Sequence, residues 1–219
     1  MTQSHRSKRI FVFPLIIITL CVPTFAQKVV EANPETSTTI AGSLDGRAYS
    51  NRVLKFELKL PDDGVVFNPA ETEILKNAGM DTLKTGKNDR QLDAATSKEI
   101  ILLTYARKPL GSPANSILVI GVSKQADGIT AAMVTAGTLR MLSDTGKFVL
   151  SKSITGLEIG GLKTQGLEGE FTISPDVKLK ERCLILLRKG YMLSFTLSGY
   201  DQQQLDFAQH TLDSIKFLP

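Results

Sequence analysis

The run Leu54-Lys55-Phe56-Glu57-Leu58-Lys59-Leu60 puts every second side chain on an apolar row, the period of a strand with one wet face. Pro61-Asp62-Asp63-Gly64 follows as a turn, and Val65-Val66-Phe67 resumes extended structure. Asn68-Pro69-Ala70-Glu71 then opens a helix. Asn68 suits the cap, Pro69 the first helical position and Glu71 the reciprocal acid of a capping box. Ile74, Leu75 and Ala78 give this helix its apolar stripe, and Gly79 is read as its end. Asp81 to Lys98 is polar, with Gly86, Lys87, Asn88 and Asp89 at its centre, and is read as a mobile surface loop.

Ile100 to Ala106 and Ile117 to Val122 are short, β-branched-rich runs suited to strands buried on both faces, with Pro109, Gly111 and Pro113 turning the chain between them. Ile129, Ala132, Met133, Ala136 and Leu139 recur at helical spacing and predict a helix from Gly128 to about Ser143. Phe148 to Phe171 holds glycines at 156, 160, 161, 166 and 169, which fits strands joined by tight turns. Val177 to Tyr200 has the pattern of a hairpin turning at Lys189-Gly190. Asp201 caps a last helix whose Leu205, Ala208, Leu212 and Ile215 share one face. The sum is one α+β domain with a mostly antiparallel sheet and about three helices.

The first residues follow a different logic. Arg6, Lys8 and Arg9 precede an apolar run from Ile10 to Val22, and Thr24-Phe25-Ala26 ends in small residues before Gln27. Basic, then apolar, then small-x-small is the order of a secretory signal peptide, here cleaved after Ala26. The run is too short to span a bilayer, which takes ~20 apolar residues. Gln27 to Leu44 is polar and carries no period, so a flexible leader over 27–45 is expected, with the domain occupying 46–219. Periplasmic or secreted placement follows, without a transmembrane segment once the signal is removed.

Processing changes the charge. The chain has 26 basic and 22 acidic residues, but three basic ones leave with the signal. A nearly neutral mature chain has no electrostatic footprint for nucleic acid. Cys21 lies in the signal, with Leu20 before it where a lipid-attachment site wants a small residue, so Cys183 stands alone afterwards and no internal disulfide forms.

Candidate chemistry is sparse. His210 is the one histidine of the mature chain and falls late in the last helix, where the surface is the expected place. Cys183 shares a strand face with Ile185 and Leu187, as a small core residue would, while alternation turns Arg182 away. Gly156 to Gly161 has the gap of a phosphate loop, yet Leu162 stands where the lysine belongs, so turn glycines are expected. No catalytic, metal or cofactor residues are assigned.

Tyr49-Ser50-Asn51, then Leu54 and Phe56, then Leu60-Pro61-Asp62, resembles the opening of PsbP-like domains, and Leu212-Asp213-Ser214-Ile215-Lys216-Phe217 resembles their ending. The resemblance implies an α/β/α sandwich around an antiparallel sheet, and a binding or assembly module rather than an enzyme. Many members carry a tryptophan after the proline turn, where this chain has Gly64-Val65. The expected function is therefore an exported, non-catalytic module with a protein partner in the cell envelope. The competing readings are a carrier of a small or lipidic ligand in a cleft beside the sheet, and an enzyme. Lys84, Lys87, Arg90 and Lys98 make the Asp81 to Lys98 segment mildly basic, and it is the candidate partner loop.

Overall fold

The computed structural model describes residues 40–86, 89–112 and 114–219. The expected signal peptide, its cleavage site at Ala26 and Gln27, and Cys21 lie outside the described residues. Eleven strands are present among those described: β1 (Ser43–Asp45), β2 (Ala48–Asn51), β3 (Phe56–Lys59), β4 (Val65–Val66), β5 (Ile100–Ala106), β6 (Ile117–Lys124), β7 (Phe148–Ile159), β8 (Leu162–Ser174), β9 (Val177–Arg188), β10 (Tyr191–Gly199) and β11 (Lys216–Phe217). Four helices join them: α1 (Pro69–Leu83), α2 (Asp89–Thr96), α3 (Ala131–Asp144) and α4 (Gln202–Asp213).

The strands form two antiparallel sheets, one in the order β1-β2-β3-β11 and one in the order β4-β5-β6-β10-β9-β8-β7. Both faces of the larger sheet are covered. Leu75, Met80 and Leu83 of α1, Leu92 of α2 and Met141 and Leu142 of α3 pack on one face, against Val119, Leu167, Phe171 and Cys183. The small sheet and α4 pack on the other, where Phe56, Leu58, Leu205 and Leu212 meet Leu118, Ile120, Phe195 and Leu197. The result is three layers with the seven-stranded sheet in the middle, an α+β sandwich.

Local sequence explains most of the element ends. Asn68 Oδ1 accepts from the Glu71 N–H at 3.0 Å while Glu71 Oε2 accepts from the Asn68 N–H at 2.9 Å, the capping box read above. Asp201 caps α4 by accepting from the Gln204 N–H at 2.8 Å. Gly160-Gly161 and Lys189-Gly190 are two-residue hairpin turns with positive φ at both positions. The glycines near residue 160 therefore turn β7 into β8.

Three expectations are corrected. Gly79 does not end α1, because Met80 and Leu83 beyond it are buried against the sheet and carry the helix on to Leu83. The segment from Asp81 to Lys98 is no open loop: α2 occupies its second half, anchored by the fully buried Leu92. Order also begins upstream of Gly46. Ile40 is only 2% exposed, and Ser43–Asp45 pair with β2. Asn51 ties this start in, donating from Nδ2 to the Ile40 carbonyl at 2.7 Å and accepting from the Leu54 N–H at 2.9 Å. Residues 40–45 carry no period of their own, and their order depends on that side chain.

Candidate functional site

β4 covers only the end of β5. Val65 pairs with Ala106 and Val66 with Tyr105. The Phe67 N–H then donates to the Thr104 carbonyl at 2.9 Å, and the chain leaves the row to start α1. Among the described residues no strand continues the row beside Ile100–Leu103. A cleft of about 360 Å³ lies along this open edge, with Thr72, Glu73 and Lys76 of α1 on one wall and Gly42, Leu44 and Tyr49 of the small sheet on the other.

β5 is bulged at its centre, where the register to β6 slips between Ile101 and Leu103. Ile101 therefore packs toward the helices, whereas Leu102 and Leu103 both pack toward the small sheet. Glu99, immediately before the strand, enters the helix-facing side. Its Oε1 accepts from the Ser194 hydroxyl at 2.7 Å. Gly121 makes room for it: a Cβ there would lie 2.3 Å from Glu99 Oε1 and 2.5 Å from Ser194 Oγ. Glu99 Oε2 is shielded from solvent and has no hydrogen-bond partner, and Thr104 Oγ1 is in the same state.

Burial pushes the Glu99 carboxyl up to about 8, opposed in part by the Ser194 hydrogen bond and the Lys76 charge. Lys76 Nζ itself lies 3.9 Å from Glu73 Oε2 across one helical turn, a partly exposed pairing of little energetic weight. On the opposite wall burial raises the Tyr49 hydroxyl, whose ring fills the space that a side chain at Gly42 would need. The cleft thus joins an unpaired backbone edge, a buried carboxyl with one unsatisfied oxygen and an apolar wall.

The residues singled out from sequence lie elsewhere. Lys84 sits 3.4 Å from Asp93, an ion pair between the end of α1 and α2. Arg90 and Lys98 are exposed, and Lys87 lies outside the described residues. Cys183 is fully buried in the helix-facing core. Arg182, on the other face, pairs with Glu168 at 2.6 Å and donates to Gln209 of α4 at 2.9 Å. His210 is 89% exposed, beside Asp213. Among the described residues no three His, Cys, Asp or Glu side chains gather as a metal site requires, and no helix is long and apolar enough to cross a membrane.

Glu99 escaped the sequence reading because it falls between the polar segment ending at Lys98 and the apolar run starting at Ile100. Its available signal was weak: an acid directly before a strand whose partner strand carries a glycine.

No protein-family model matches the chain, and no curated protein matches it. Solved structures do. The chain is similar to the cyanobacterial PsbP protein CyanoP from Synechocystis sp. PCC 6803, at 15% identity and a TM-score of 0.49, covering 81% of this chain and 98% of that one. It is also similar to LpqN, involved in cell envelope biogenesis of Mycobacterium tuberculosis, at 15% identity and a TM-score of 0.48, covering 75% and 83%. At that distance neither likeness carries a function across.

Proposed function

We propose that this protein is an exported, non-catalytic binding module that captures an extended segment of a protein partner at the open edge of β5. The single observation behind this reading is the row that β4 abandons at Phe67, leaving Ile100–Leu103 uncovered among the described residues, beside a cleft. Unpaired strand edges are templates for pairing, and strand addition supplies affinity from backbone hydrogen bonds and specificity from alternate side-chain pockets. Export rests on the tripartite leader, and N-terminal sequencing should find a mature chain beginning at Gln27.

Replacing the half-buried Thr72 by Trp fills the cleft without touching the core. The native protein should recover a partner from an envelope extract, and Thr72→Trp should lose it at an unchanged Tm. Undiminished recovery would place the binding surface elsewhere, the α1–α2 segment with Lys84, Arg90 and Lys98 being the next to vary.

The cleft volume, which falls in the range of small-molecule sites, favours a second reading as a carrier. Mass spectrometry of the purified protein separates the two. A stoichiometric small molecule displaced by Thr72→Trp, with no protein recovered, would establish the carrier.

A further inference from the structure

We propose that the segment received at β5 presents a basic side chain, lysine or arginine, to Glu99. The inference rests on the strand-addition reading and adds the chemistry of the occupant. A strand laid along Ile100–Leu103 alternates its side chains, one set passing under α1 and the other toward Tyr49 and Leu44. On the α1 side the walls carry Glu73, Lys76 and Thr72, and behind them Glu99 Oε2 and Thr104 Oγ1 lack partners. An apolar side chain would leave both oxygens unpaired, and an acidic one would face two carboxyls. A cationic one donates to Glu99 Oε2. With Lys76 already paired to Glu73, the carboxylate formed at Glu99 on binding has an arriving cation as its counter-charge.

The titratable groups around the Glu99 carboxyl are Glu73 and Lys76 of α1 and Tyr49 across the cleft, while β10 contributes only the Ser194 hydroxyl. Burial keeps the carboxyl largely protonated at neutral pH while the cleft is empty. An arriving ammonium favours the carboxylate, so its proton passes to solvent on binding, one proton for one ion pair.

Two acetylated, amidated hexapeptides test this, built from alternating threonine and valine with a central lysine in one and norleucine in the other. Both should slow amide exchange at Ile100–Leu103. The lysine peptide should bind at least ~10-fold tighter, as a charge-assisted hydrogen bond worth ~1.4 kcal/mol or more requires. Calorimetry in buffers of different ionisation enthalpy should show proton release at pH 7 with the lysine peptide alone. Glu99→Gln should erase both the preference and the proton release. Equal affinities with no proton release would overturn the inference and leave strand addition standing. Failure of both peptides to protect those amides would overturn both.

Discussion

At the scale of single residues, Glu99 shows how a tertiary setting reassigns a common side chain. Nothing in Lys98-Glu99-Ile100 marks the glutamate as buried. The space it occupies comes from the missing side chain at Gly121, and its hydrogen bond from Ser194 on β10. The consequence is a pH dependence of definite sign. With the folded carboxyl near 8 against an ordinary 4.5, the folded state holds a proton that the unfolded chain has released. Stability is fully present below about pH 4.5 and declines as pH rises through about 8, by up to ~1.4 kcal/mol per pH unit. Urea unfolding at pH 5, 7 and 9 should show this decline, and Glu99→Gln should flatten it. Parallel pH curves for the two proteins would mean that the carboxyl is solvated in the folded state.

At the scale of elements, composition and packing disagree most between Asp81 and Lys98. A segment with so many polar residues reads as loop, but a helix needs only one deep contact to dock. Leu92 supplies it, and Thr96 closes the last turn by donating to the Leu92 carbonyl at 2.8 Å. Asp89 receives the Thr85 and Gly86 N–H groups at 3.2 and 2.9 Å, so the turn between α1 and α2 is pinned by the same residue that starts the helix. Leu92→Ala should therefore cost roughly 2–5 kcal/mol in urea unfolding. The exposed Arg90→Ala should stay within about 0.5 kcal/mol. A negligible loss for Leu92→Ala would mean that α2 is not docked. Excising Thr82 to Ala95 is no clean test of the surface, because it removes Leu83 and Leu92 from the core.

At the scale of the whole molecule, the seven-stranded sheet is shared by both cores, so neither layer can leave without exposing it. Phe195 and Leu197 face the small sheet and α4, whereas Cys183 and Leu179 face the helices from the neighbouring strand. Arg182 of β9 fastens α4 to the sheet by pairing with Glu168 of β8 and donating to Gln209 of α4. Unfolding should therefore be one transition, with far- and near-ultraviolet circular dichroism giving the same midpoint in urea. Separate midpoints would show that the layers unfold independently.

Sequence by itself determined the features whose cause is local. The capping box at Asn68 and Glu71, the Asp201 cap, both glycine hairpin turns and the two-faced burial of Ile117 to Val122 follow from neighbours within a few positions. Tertiary structure alone decided which strand edge stays open. β4 is cut to two residues because Asn68 must cap α1, and among the described residues no other segment takes up the row beside Ile100–Leu103. Periodicity specifies which face of a strand is buried but not which neighbour lies beside it, since hydrogen bonding across an edge depends on backbone groups common to every residue.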